Sequence, residues 1–292
     1  MLNVRAIKEL VREHRLGISP RRRGQHFLVD PRVLTRIAQT VAAEPGDQVL
    51  EIGAGLGALT ELLLPSGARL TAVERDPRFV KVLGSRFSAG GGSAFGGSQV
   101  ENFVLVHSDV LRLDLADYAQ GQPHSLIVAG NLPYSITSRI LEFLLRHRVW
   151  VKRAVLTVQK EVAQRIVSQP NTKLYSPITL LVQVAFRPSI AFQISPGAFY
   201  PQPKVTSAVL RLDPLLEPVV PPEREEAVLK LARLIFTHRR KTLLNALCIP
   251  GVGLTREEVQ SRLREAGIDP IRRPETLRFS ELTALERSLT LR

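Results

Sequence analysis

Between residues 48 and 158 short apolar runs alternate with amphipathic stretches, and this alternation limits the possible folds more than any other feature of the chain. Strands are expected at Gln48–Ile52, Leu70–Glu74, Phe103–His107, Leu126–Ala129 and Arg153–Val158, with helices at about 57–64, 77–87, 137–147 and 160–168. Such a pattern builds an α/β domain: a mostly parallel sheet with helices on both faces. The run Ser125–Gly130 is apolar almost throughout, as a strand buried on both faces must be. Thr179–Phe186 and Ser207–Leu212 read as a further antiparallel hairpin at the sheet edge.

The flanks are different. Residues 2–16 form a basic amphipathic helix with Leu2, Ile7, Leu10 and Val11 toward one side, and Asp30-Pro31 opens a helix with capping residue and proline in their preferred places. The stretch Asp213–Pro222 carries four prolines and reads as a linker, followed by a purely helical pattern at about 223–236, 241–248, 255–266 and 280–289. The expected division is a basic N-terminal extension over 1–30, the main α/β domain over 31–212, a linker over 213–222 and a small all-α domain over 223–292. Ser88–Ser98 (SAGGGSAFGGS) cannot pack a core and is expected to be a surface loop without assigned function.

The formal net charge of +13 over 292 residues favours a polyanionic partner, nucleic acid first. The positive charge gathers at Arg21, Arg22 and Arg23, near Lys204, and at Arg239, Arg240 and Lys241, which are the expected phosphate contacts. With only 5% aromatic residues, recognition should be led by shape and phosphates. The single cysteine, Cys248, points to a reducing compartment, and the six histidines lack metal-ligand spacing, so no metal is expected. No apolar run has the length of a membrane span. A cytoplasmic monomer without membrane attachment is the expectation.

Candidate ligand residues fall at successive strand ends. Val49–Ile52 runs into Gly53-Ala54-Gly55-Leu56-Gly57, a turn that lets a ligand approach the backbone. Position 58 is alanine, which disfavours the dinucleotide fingerprint and with it a nicotinamide enzyme. Glu74 ends the second strand, where a carboxylate can accept both hydroxyls of a ribose, and Asp109 follows the third, where it can accept the amino group of an adenine. Asn131-Leu132-Pro133-Tyr134 ends the fourth. There the amide oxygen and a carbonyl of Leu132 or Pro133 can accept both hydrogens of an exocyclic amine while Tyr134 stacks on the heterocycle. Phe199, in a proline-rich loop, is the candidate for the opposite face of that base.

Glu51–Gly57, Glu74, Asp109 and Asn131–Tyr134 resemble the class I S-adenosylmethionine-dependent methyltransferase pattern. Gly24–Leu28, Asn131–Ile136, Phe199–Val205 and Arg239–Thr242 narrow the likeness to the ribosomal RNA adenine dimethyltransferase family, small-subunit (16S) type, over about residues 16–290. The resemblance implies a Rossmann-like sheet and S-adenosylmethionine held by His26, Leu28, Gly53, Glu74, Asp109 and Asn131. It further implies dimethylation of N6 on two adjacent adenosines in the 3′-terminal hairpin loop of small-subunit RNA, on an assembling small ribosomal subunit. The chain has His26 where the family often has Asn, Leu244 where it often has a basic residue, and the 88–98 insert as a feature of its own. A related enzyme acting on large-subunit RNA, or an assembly factor that kept the fold without turnover, would share many of these residues.

Overall fold

The computed structural model describes residues 2–16, 25–87, 102–249 and 253–289. Arg21–Arg23 and the Ser88–Ser98 insert lie outside the described residues. The strands are β1 (Phe27–Leu28), β2 (Gln48–Ile52), β3 (Arg69–Glu74), β4 (Phe103–His107), β5 (Leu126–Asn131), β6 (Val151–Gln159), β7 (Phe186–Ile194), β8 (Phe199–Tyr200) and β9 (Ser207–Pro214). The helices are α1 (Val4–Glu13), α2 (Pro31–Val41), α3 (Thr60–Leu63), α4 (Pro77–Phe87), α5 (Leu115–Tyr118), α6 (Thr137–Arg146), α7 (Lys160–Ile166), α8 (Pro177–Gln183), α9 (Glu225–Thr237), α10 (Leu243–Leu247), α11 (Arg256–Glu265) and α12 (Phe279–Leu289).

Seven strands form one sheet in the order β4-β3-β2-β5-β6-β9-β7. β2 lies parallel to both β3 and β5, β4 extends the sheet from β3, and β6 from β5; β9 enters antiparallel to β6. β5 is buried along Leu126–Gly130, which explains its unbroken apolar character. Because the chain leaves β2 in both directions across the sheet, a crevice opens beyond the carboxyl ends of β2, β3 and β5, where open α/β sheets take ligands. The register places Ile52 beside Val73 on one side and Gly130 on the other, so the ends of these strands are level.

The chain divides into two compact units: residues 1–163 with 189–214, and residues 164–188 with 215–292. This differs from the boundaries read from sequence at two places. First, α1 belongs to the sheet-bearing unit instead of standing apart as an extension. Its Ile7 is fully buried in a cluster with Leu2, Leu16, Leu56, Phe79 and Val82, and burying such a side chain contributes about 1.5–3 kcal/mol. Second, residues 164–188 belong with the C-terminal helices. Tyr175 is 1% exposed, donates its hydroxyl to Leu277 O at 3.0 Å and packs its ring against Phe236.

Thr179–Phe186 is not the strand expected. Residues 177–183 form α8, capped by Ser176 in a reciprocal box with Thr179 and opened by Pro177 at its first position. A short apolar run is ambiguous by periodicity alone, and here the cap decides for helix. The strand comes later, as β7 at the sheet edge, where Pro188 is tolerated.

Candidate active site

The glycine turn begins where β2 ends. Gly53 N donates to Val73 O at 2.8 Å, and Gly53, Gly55 and Gly57 have φ of 69°, 58° and 81°, left-handed values that favour glycine. At Gly57 a Cβ would also fall 2.4 Å from the Phe87 ring. Gly130, immediately before Asn131, lies so close to β2 that a Cβ would sit 2.7 Å from Ile52 O. The strand pair therefore admits no side chain one residue before the amide.

Glu74 closes one end of the crevice. It is 8% exposed, and its carboxylate accepts backbone N–H bonds from Gly55 at 2.9 Å and from Arg75 and Asp76 at 2.8 Å each. Burial nevertheless pushes its pKa above the usual carboxylate range, outweighing these three bonds. Glu51, 2% exposed, accepts from Thr60 Oγ1 at 2.6 Å, and burial raises its pKa to about 7. Asp109 caps the turn after β4 through Leu111 N, and its second oxygen lies 3.4 Å from the Arg75 guanidinium.

Asn131 closes the other end. Its Nδ2 donates to the backbone carbonyl of His26 at 3.0 Å. That bond commits one of the two amide hydrogens to the protein, which orients the amide, and leaves Oδ1 as an acceptor without a partner among the described residues. The His26 ring is fixed by a 2.7 Å bond between Nδ1 and Pro201 O and stacks on Tyr134, with centroids 6.0 Å apart. Tyr134 shares a 2.7 Å hydrogen bond with Ser207 Oγ, and burial raises its pKa, so the phenol stays neutral. β1 is held for this purpose by pairing with β8: Phe27 faces Tyr200 and Leu28 faces Phe199.

His26, Leu28, Gly53, Glu74, Asp109, Asn131, Leu132, Pro133 and Tyr134 all line one cavity of about 690 Å³. That volume lies in the range of about 300–1,000 Å³ typical of small-molecule sites. A buried carboxylate, a glycine turn and an open amide oxygen suit a nucleoside-bearing cofactor and leave room for a base. Phe199 is a correction. It does not line the cavity; it is 4% exposed in the core with Leu28, Ile194, Ala198 and Val209, because its pairing with Leu28 turns it into the packed interior. Lys204, Arg240 and Lys241 are exposed, whereas Arg239 is partly committed to Thr172 O at 3.2 Å and lies 3.9 Å from Glu275. Among the lining residues that sequence reasoning did not place at the site are Leu2 and Ile7, whose apolar side marked a buried face but not its neighbour, and Arg75, Arg78 and Arg139.

The strand order, the glycine turn and the polar side chains Glu74, Asp109 and Asn131 that line the crevice beyond β3, β4 and β5 define a class I methyltransferase. The chain matches the ribosomal RNA adenine dimethylase family over residues 20–284. It is 42% identical to ribosomal RNA small subunit methyltransferase A of Geobacter metallireducens over 269 residues, 91% of this chain and 94% of that protein. It is 39% identical to the protein of the same name from Acinetobacter baylyi, covering 91% of this chain and 90% of that one. Among solved structures it resembles the 23S rRNA methyltransferase ErmE (TM-score 0.64, 26% identity, 90% of this chain and 99% of that one). The fold is also that of a dimethyladenosine transferase from Plasmodium falciparum (TM-score 0.71, 23% identity, 89% and 95%). The chain belongs to the ribosomal RNA adenine dimethylase family, and it is an S-adenosylmethionine-dependent enzyme. Among the described residues no helix is long and apolar enough to cross a membrane.

Proposed function

We propose that this chain dimethylates N6 of two adjacent adenosines in the 3′-terminal hairpin loop of small-subunit ribosomal RNA, working as a cytoplasmic monomer on an assembling small subunit. The relatives named for the small subunit, at 42% and 39% identity, stand nearer to it than ErmE at 26%. The observation that carries the catalytic reading is the Asn131 amide, whose nitrogen is bonded to His26 O and whose oxygen has no partner among the described residues, in a side chain that lines the cavity.

In this reading Glu74 takes the ribose hydroxyls of S-adenosylmethionine, Asp109 its adenine amine, and His26, Leu28 and Gly53 supply the remaining wall. The bound cofactor supplies an electrophilic methyl group. The chain's own task is to prepare the nucleophile. Asn131 Oδ1 accepts one N6 hydrogen. The Pro133 carbonyl already accepts from Ile136 N at 3.1 Å, whereas the Leu132 carbonyl has no partner among the described residues, which favours Leu132 as the second acceptor. Two acceptors favour a pyramidal nitrogen and stabilise the positive charge that develops on it. Tyr134, braced by Ser207 and His26, fixes the plane of the base. No side chain need remove a proton before attack, since the proton leaves a nitrogen that is already cationic. A loop adenine is cheaper to extract than a paired one, which suits a hairpin target.

The helices of 223–292 and the cations Arg21, Arg22, Arg23, Lys204, Arg239, Arg240 and Lys241 supply phosphate contacts in this proposal. Neutralising about six phosphates gives a log–log salt slope near −4 to −5. The deciding experiment incubates the chain with labelled cofactor and unmethylated small or large subunits, then analyses nucleosides. N6,N6-dimethyladenosine in small subunits alone is the expected result; label in large subunits alone would refute the assignment.

A further inference from the structure

Among the described residues three guanidinium groups line the cavity: Arg75, Arg78 and Arg139. Two of them are committed. Arg78 grips Asp76 through Nε at 2.8 Å and Nη2 at 2.5 Å, and Arg75 lies 3.4 Å from Asp109. Arg139 is exposed and has neither a hydrogen bond nor an ion pair among the described residues.

Its position on α6 makes this unusual. α6 is a ten-residue helix that starts directly after the Tyr134–Ile136 turn, so its amino end points at the base-binding corner. Arg139 is its third residue, and no acidic residue stands in that first turn. A cation at a helix amino terminus adds to the positive end of the macrodipole instead of neutralising it, which is unfavourable for the isolated helix. Free backbone N–H groups and a fixed dipole at such an end attract anions, and a guanidinium beside them adds a planar, bidentate donor for an oxyanion. The uncommitted guanidinium thus belongs to the cavity-lining segment that carries Asn131 and Tyr134, whereas Arg75 and Arg78 are paired with Asp109 and Asp76.

We propose that Arg139 is a positioning residue that holds a phosphate of the RNA backbone flanking the extruded adenosine. The inference rests on the functional reading above and adds to it a specific anchor for the target strand. The same guanidinium chemistry could instead serve the carboxylate of the cofactor's amino-acid tail. Arg139 follows the Asn131–Tyr134 motif on the same segment, which favours the RNA phosphate.

The test compares the unsubstituted chain with Arg139→Ala and Arg139→Lys, using unmethylated small subunits and labelled cofactor. For Arg139→Ala the KM for subunits should rise about three- to thirty-fold, with kcat nearly kept and cofactor Kd, measured by calorimetry without RNA, unchanged. The log–log salt slope should become shallower by about one. Arg139→Lys should restore the slope, since it keeps the charge, while recovering only part of the KM; a merely structural role would not move the slope at all. An unchanged KM and slope in Arg139→Ala, or a weakened cofactor Kd, would overturn the assignment. Failure of the unsubstituted chain to methylate small subunits would instead defeat the functional reading on which it rests.

Discussion

The two ends of the cavity are built by opposite means. Glu74 is held by its neighbours in sequence: the N–H groups of Arg75 and Asp76 follow it directly, and Gly55 reaches it from the adjacent strand's turn. Its carboxylate is held by three backbone N–H groups and positioned before any ligand arrives. Asn131 is held by a carbonyl 105 residues earlier in the chain, and half of its amide is left uncommitted. The difference teaches that the two ends draw on separate kinds of preorganisation: the Glu74 end is built locally, while the Asn131 end is assembled from distant segments. In the proposed reading the first serves the cofactor and the second the base.

The largest effect should come from emptying the uncommitted end. Asn131→Ala is expected to lower methyl transfer about 10²–10³-fold, the cost typical of losing one transition-state hydrogen-bond partner, while RNA binding by filter retention persists. Equal loss of RNA binding would break the comparison. At the other end, Glu74→Gln keeps the shape and removes the charge. Cofactor Kd should weaken about 10–100-fold, as for a hydrogen bond to a charged group, with kcat at saturating cofactor largely kept. Calorimetry and initial rates separate the two effects.

His26→Ala sharpens the contrast further. The carbonyl that orients Asn131 survives, and only the bond to Pro201 and the stack on Tyr134 are lost. Activity should stay within about ten-fold of the parent; a loss as large as that of Asn131→Ala would mean that the imidazole itself acts. The smallest effect concerns stability. Glu51 in the folded chain keeps its proton up to about pH 7, against an ordinary value of 4.5. The folded state therefore binds more protons than the unfolded one between these values, and stability falls as pH rises through that window. Glu51→Gln should melt near the parent temperature at pH 4 and higher at pH 8, by about 5 °C at most. Parallel melting curves at both pH values would contradict this.

The same contrast explains what could be read from sequence. The order of β2 to β6, the Gly53–Gly57 turn, and the strand-end positions of Glu74, Asp109 and Asn131 were legible because each follows from local pattern: a buried run, then residues with turn or acceptor chemistry. What escaped depends on pairing across distance. Nothing local says that the carbonyl of His26 accepts a bond from Asn131, or that Phe199 lies in the core beside Leu28. The apolar side of α1 announced burial, but not that Leu2 and Ile7 would wall the cavity. Thr179–Val184 has a composition equally suited to helix and strand, and the Ser176 cap outweighed it. The grouping of 164–188 with the C-terminal helices rests on Tyr175 and Leu277, which no short window contains.

The pairing of β1 with β8 also joins a segment made early in synthesis to one made late. His26 is anchored by Pro201 and Phe27 by Tyr200, so a growing polypeptide that has emerged only as far as Gln159 already carries Asn131 and His26 but lacks the segment that braces them. A stalled product ending there is expected to be inert in the methyl-transfer assay. The Asn131 amide is thus synthesised well before the segment that braces its partner, His26.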